Sequence, residues 1–247
     1  MKHISIGGLD VSRIGLGAMS MSGYYNIGAG SDAESIRAIH RALELGVTHL
    51  DTAEIYGPYT NEELVGRAIK GRRARVVLAT KFGLVSHAGG GPGVFDSSPA
   101  NIRAAVEGSL KRLGTDHIDL YYQHRVDPKT PLTGKIRSPD ELSVDDWRKT
   151  NPRFTGENFG RNLRIVDEVE AIAAEAHATP AQIALAWLLA QGDDIAPIPG
   201  TKRVARVEEN TAADRIELSV EQIERLNNLT PAAGERHNEG SMAVIDR

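Results

Sequence analysis

Four side chains stand where short apolar runs give out. Asp51 closes the run Val47–Asp51, Lys81 closes Val76–Lys81, His124 closes Ile118–His124, and Tyr56 lies five residues past Asp51 in the loop that follows. A tyrosine hydroxyl titrates near ~10 in water, too high for efficient proton exchange at neutral pH. A nearby ammonium favours the phenolate and lowers that value. Asp51 would pair with Lys81 and hold it, while His124 would hydrogen-bond and orient a substrate oxygen. Such a set makes a proton donor to a carbonyl oxygen, as hydride reduction of an aldehyde or ketone requires. Each residue alone would more often be structural, and only their common register points to chemistry.

The elements that must position them alternate. Ile4–Ile6 and Val11–Ser12 flank Gly7-Gly8-Leu9-Asp10 as a hairpin, and Ile14–Met19 follows as a short buried strand. Ser31-Asp32-Ala33-Glu34 reads as a capping box opening a helix that stops at Gly46. Further helices are expected over 61–70 and from Ser98-Pro99 to Gly114, then over 163–177, from Thr179-Pro180 through Leu189, and after Ser219. Ile195–Gly200 reads as an apolar strand with two prolines, followed by a helix start near Thr201. Strands alternating with helices argue for a parallel sheet, and in (β/α)₈ barrels active sites are built at the C-terminal strand tips.

Four motifs in order resemble the aldo-keto reductases: Leu50-Asp51-Thr52-Ala53-Glu54-Ile55-Tyr56-Gly57, Ala79-Thr80-Lys81-Phe82-Gly83, Tyr121-Tyr122-Gln123-His124-Arg125 and Ile198-Pro199-Gly200-Thr201-Lys202. The resemblance covers nearly the whole chain. It implies an α/β fold, a TIM-type (β/α) barrel with an N-terminal hairpin, and NADP(H) as cofactor. It makes Asp51, Tyr56, Lys81 and His124 the catalytic tetrad, with tyrosine as general acid. Strand, glycine and helix start at Gly200-Thr201 form an anion site, because unpaired amides and the helix dipole favour phosphate. Lys202 and Arg206, four apart on one helical face, suit the 2′-phosphate. On sequence alone the same residues would equally make a solvated basic face. By resemblance Glu209 and Asn210 would meet the adenine end, and Gly17, Ala18 and Met19 match a cofactor-lining segment.

One stretch departs from that pattern. Only 75 residues separate His124 from Pro199, against 30 between Asp51 and Lys81 and 43 between Lys81 and His124. Four barrel steps would need roughly 120–170 residues. The expectation is therefore one domain over 1–247 as an incomplete barrel, with strands one to four and eight recognisable and five to seven missing. An irregular segment over 126–160 would span a deletion junction near Pro131–Leu132. Strands four and eight would then present open edges. By resemblance, the missing part held the residues that grip the nicotinamide.

Composition narrows the classes. The 33 acidic and 29 basic groups leave a net charge of −4, no field for gripping nucleic acid or anionic lipid. No apolar run approaches the roughly 20 residues that span a bilayer, and the N-terminal residues lack a signal-peptide core. The absence of cysteine excludes thiol and disulfide chemistry, and the eight histidines form no metal-binding pair. The expectation is a cytoplasmic NADP-dependent oxidoreductase acting on a small-molecule carbonyl. Its rival is a catalytically impaired remnant that binds cofactor or self-associates through its strand edges. A phosphate-binding barrel of unrelated chemistry is disfavoured by the order of the motifs.

Overall fold

The computed structural model describes residues 1–22, 31–84, 99–124 and 147–235. In chain order the elements are β1 (His3–Ile6), β2 (Leu9–Ser12), β3 (Leu16–Gly17), α1 (Asp32–Glu44), β4 (His49–Asp51), α2 (Thr60–Ile69), β5 (Val77–Phe82), α3 (Pro99–Leu113), β6 (Leu120–Gln123), α4 (Gly156–Glu175), α5 (Pro180–Leu189), α6 (Val204–Ala212) and α7 (Val220–Asn227). The chain divides into two compact units.

The first unit joins Met1–Asp127 to Gly192–Asp214. β1 and β2 pair antiparallel across the Gly7-Gly8 turn. β3, β4, β5 and β6 form a parallel sheet in that order, in register Gly17↔Asp51, Asp51↔Ala79 and Lys81↔Tyr122. Successive side chains point to opposite faces of a strand. One face therefore carries Leu16, Leu50 and Leu78, which join Ile39, Leu43, Leu64, Val65 and Val207 in the main core. The other carries His49, Asp51, Ala79, Lys81 and Tyr122.

Helix ends follow their sequence signals. Ser31 accepts the Glu34 amide at the start of α1, and Gly46, Gly71 and Gly114 all take positive φ just past α1, α2 and α3. The Ser98 cap expected for α3 lies outside the described residues.

The expected strand over Ile195–Gly200 does not form as a named element. It lies against β3 through Gly15 N–H to Pro197 O (2.9 Å), Gly17 N–H to Pro199 O (3.3 Å) and one parallel bridge, Gly17↔Gly200. Pro197 and Pro199 have no N–H, so half of that ladder cannot be made. The helix expected from about Thr201 begins instead at Val204, because Thr201 Oγ1 takes the Arg203 amide and holds 201–203 in a turn.

The second unit joins Pro128–Gln191 to Arg215–Arg247. Ile172, Ala173, Ile183 and Leu226 from α4, α5 and α7 form its core, with Trp187, Ile216 and Leu218 around them. Thr179 and Ser219 each complete a capping box with Gln182 and Gln222. The helix expected over 163–177 starts earlier, at Gly156, and short 3₁₀ turns cover Trp147–Thr150 and Pro152–Phe154. The irregular segment expected over 126–160 is thus ordered into helix at its end. Tertiary polar contacts replace the missing apolar period there. Asn162, almost wholly buried, donates to Arg153 O and Ala233 O (2.9 Å each) and accepts from Ala233 N–H (2.7 Å). Residues 126–146, with the proposed junction at Pro131–Leu132, lie outside the described residues.

Candidate active site

The polar row at the strand tips is a consequence of register. Asp51 ends β4 opposite Ala79; Lys81, two residues further along β5, shares that face and pairs with Tyr122 on β6. Asp51 and Lys81 are 4% and 8% exposed, so their charges must be satisfied internally. The Lys81 ammonium donates to Asp51 Oδ1 (2.5 Å), to the Thr52 carbonyl (2.8 Å) and to the Tyr56 hydroxyl (3.2 Å). An ammonium has three hydrogens, and these three acceptors match them. Burial lowers the Lys81 pKa from the usual lysine value, and the Asp51 charge opposes that fall.

Tyr56 reaches the ammonium because its loop folds back. Tyr56 N–H bonds Ala53 O (3.1 Å) and Tyr59 N–H bonds Glu54 O (2.9 Å). Gly57 takes φ +66°, and a Cβ there would stand 2.7 Å from Ser22 Cβ, so the turn requires glycine. Met19 and Leu84 pack against the buried Ala53, Ile55 and Tyr56. Asn61 at the start of α2, with no exposed surface, locks this arrangement. It accepts from Thr52 Oγ1 (2.7 Å) and donates to Ala18 O (2.9 Å) and Ser22 Oγ (2.7 Å). Three chain segments are thus held by one side chain.

His124 follows β6, its N–H bonded to Phe82 O (2.8 Å), and its ring meets the Tyr56 ring edge-on at 5.4 Å between centroids. Burial, helped by the Lys81 charge, pushes its pKa down to about 3, so the imidazole is neutral at physiological pH. Its Nδ1 is buried with no hydrogen-bond partner among the described residues. The four residues expected from the sequence therefore meet at one place.

The sequence reading assigned no role to Tyr122, whose hydroxyl donates to Asp51 Oδ2 and whose ring lies 5.2 Å from Lys81 Nζ. The signal was available: Tyr122 stands two residues before His124, on the same strand face. Asn61 carried no such signal, because Ala18 and Ser22, two of its three partners, are distant in sequence.

The residues expected at the cofactor end lie in the same unit. Gly17 permits close approach of the Pro199–Gly200 segment: a Cβ on it would stand 2.9 Å from Ile198 O. Ala18 N–H bonds Asp51 O (2.8 Å), tying this segment to the tip that carries the acid. Thr201 is buried, Lys202 follows it, and the Arg203 side chain makes no capping bond at the start of α6. Arg206, in the first turn of α6, is ion-paired with Glu209. Asn210 lines a narrow crevice with Ile14, Gly15 and Pro199. The positive end of α6 favours an anion, so Thr201, Lys202 and Arg206 form a set that could hold a phosphate. Among the described residues no cluster of histidine and carboxylate side chains could hold a metal ion.

Known proteins resemble this one in sequence and in structure. A profile of the Aldo/keto reductase family matches residues 13–143 and 132–231. Aldo-keto reductase yakc [NADP(+)] of Schizosaccharomyces pombe is 32% identical over 326 aligned positions, covering 97% of this chain and 95% of that protein. Among solved structures, the glycerol dehydrogenase AKR11B4 from Gluconobacter oxydans superposes with a TM-score of 0.77 at 26% identity, covering 92% of this chain and 94% of its own. An aldo/keto reductase from Klebsiella pneumoniae, solved with NADP and acetate, gives 0.64 at 24% identity, covering 96% and 99%. With strand-tip residues in one register and a family match along most of its length, this chain belongs to the aldo/keto reductase family.

Proposed function

We propose that the protein is an NADP(H)-dependent oxidoreductase that reduces small aldehydes or ketones to alcohols. The observation that carries this reading is Lys81 Nζ, which bonds Asp51 and the Tyr56 hydroxyl at once. Hydride arriving at a carbonyl carbon leaves charge on oxygen, and a proton must follow. Tyr56 gives that proton, Lys81 stabilises the phenolate left behind, and Asp51 holds Lys81 in place. His124, neutral and beside the Tyr56 ring, hydrogen-bonds the carbonyl oxygen and fixes its direction. Lys202 and Arg206 take the 2′-phosphate of NADP(H), with Thr201 and Gly200 at the phosphate turn. Arg206 must exchange its Glu209 partner to do so. Gly17, Ala18 and Met19 line the cofactor, with Glu209 and Asn210 at its adenine end. NADP(H) supplies the hydride. The yeast relative, named for NADP(+), supports this cofactor.

NADPH consumption with a panel of reactive aldehydes tests the proposal. Turnover that disappears in Tyr56→Phe supports it; a folded wild type with no turnover above that variant ends the enzyme claim.

A second reading has its own support: the chain is a shortened member of the family. The two profile matches overlap only at 132–143, the second beginning one residue after Pro131. The alignment to the yeast relative runs to 326 positions against 247 residues here, so the relative carries residues with no counterpart. On this reading the sheet order, 197–200 beside β3 and then β4, β5 and β6, would correspond to barrel strands eight, one, two, three and four. On this reading the protein binds NADP(H) without efficient turnover, or associates through its strand edges. NADPH binding without turnover, or a concentration-dependent oligomer, would favour it. No helix among the described residues is long and apolar enough to cross a membrane, and the cytoplasm is the compartment we propose.

A further inference from the structure

Two tyrosines touch the Asp51–Lys81 pair, and their hydrogen bonds run in opposite senses. Lys81 can only donate, so the Tyr56 oxygen accepts at 3.2 Å and the Tyr56 hydrogen must point away from the ammonium. The Asp51 carboxylate can only accept, so Tyr122 donates its hydrogen to Oδ2. Donor sense separates the two phenols: Tyr56 accepts from the ammonium, and Tyr122 gives its proton to the carboxylate.

We propose that Tyr122 is a positioning residue of this site: by donating to Asp51 Oδ2 it pins the carboxylate that holds Lys81, and thereby sets the pH at which Tyr56 ionises. Asp51 is divided between two donors, Lys81 on Oδ1 and Tyr122 on Oδ2, so the carboxylate plane is fixed. The register Lys81↔Tyr122 holds both donors side by side, and the Tyr122 ring lies 5.2 Å from the ammonium it flanks. Burial and the Asp51 charge both raise the Tyr122 pKa, which favours the neutral donor.

Without the Tyr122 hydroxyl the buried carboxylate loses one of its donors, and its uncompensated charge is felt more strongly by its neighbours. Lys81 is drawn toward Asp51 and the Tyr56 phenolate becomes less favourable. The other groups facing this cluster are His124 beside the Tyr56 ring, His49 below Asp51 on β4, and Glu62 of α2, whose charge reaches Lys81 through the sheet. Burial lowers the pKa of both histidines, and neither carries charge at the pH where a phenol titrates.

The inference rests on Tyr56 as the proton donor, and its test is independent of turnover. Tyrosine absorbance is titrated in wild type and in Tyr56→Phe, and their difference isolates the Tyr56 ionisation. The same pair is then measured in a Tyr122→Phe background, which keeps the ring over Lys81. The expected result is a Tyr56 midpoint higher by about one pH unit when the Tyr122 hydroxyl is absent. An unchanged midpoint overturns the inference, whatever the activity. In the active enzyme the alkaline fall of kcat moves the same way, with kcat reduced roughly tenfold and the KM for NADPH unchanged. Absence of turnover in wild type would count against the proposed function alone, since the absorbance titration still decides the role of Tyr122.

Discussion

The sheet carries an ion pair on each face, each with a buried carboxylate, and the proposed site uses only one of them. On one face Asp51 holds Lys81. On the other, Glu62, with no exposed surface, accepts from Arg112 Nε (2.7 Å) and from Thr80 Oγ1 (2.7 Å). Thr80 and Lys81 are neighbours in β5, and strand alternation sends them to opposite sides. The second pair is closed. Its guanidinium cannot give up a proton, stacks 4.4 Å from the Tyr59 ring and lies 4.0 Å from Glu54, and it joins α3 to α2 and β5. The first pair has a titratable cation at a strand tip, with its third hydrogen bond ending on a phenol. Burial and pairing alone do not mark a site; a pair whose bonds end on a group with a transferable proton does.

The largest effect that would sharpen this contrast is on turnover. Tyr56→Phe should lower kcat about 10²–10⁴-fold while the thermal midpoint hardly moves. A loss below tenfold would put the proton elsewhere. Arg112→Met should do the reverse, lowering the unfolding free energy by about 3–5 kcal/mol because Glu62 is left charged and buried, while turnover per folded molecule stays within about threefold. Urea titration and kcat measured together decide it, and the contrast fails if Arg112→Met abolishes turnover at unchanged stability. Asn61→Ala removes three hydrogen bonds joining Ala18, Ser22 and Thr52, and should destabilise by about 1–3 kcal/mol in the same urea titration.

The last expected effect is pH dependence. His124 is held neutral with its pKa pushed from 6.5 to about 3, so the unfolded chain takes up the proton first as pH falls. Its contribution to stability is present above about 6.5 and is lost as pH falls from there to about 3. His49 acts in the same direction. The urea midpoint should decline over that range, and His124→Phe should flatten the decline. An equally steep decline in that variant would assign the acid sensitivity to other groups.

Much of both units was legible where the signals are local. Gly46, Gly71 and Gly114 end helices where a left-handed residue is needed, and the Thr179 and Ser219 capping boxes announce α5 and α7. The tip residues Asp51, Lys81 and His124 stood out because polar side chains end apolar runs. The 195–200 segment misled, since its apolar residues suggest a full strand while its prolines remove the donors such a strand needs. The start of α4 was missed because Asn162, a polar residue, holds it through bonds to Arg153 and Ala233.

The amino-acid order determined which groups could do chemistry and which strand face each would occupy, since parity along a strand is a local property with a period of two. It also announced the family through four motifs in succession. Only tertiary structure decided which neighbours those groups met. Strand register set Tyr122 beside Lys81 and against Asp51, packing set Asn61 under the loop of Tyr56, and the fold set Arg112 against Glu62. Each of these contacts joins residues that are distant along the chain. Their partners follow from how strands and helices pack, and local sequence carries no trace of that until the chain has folded.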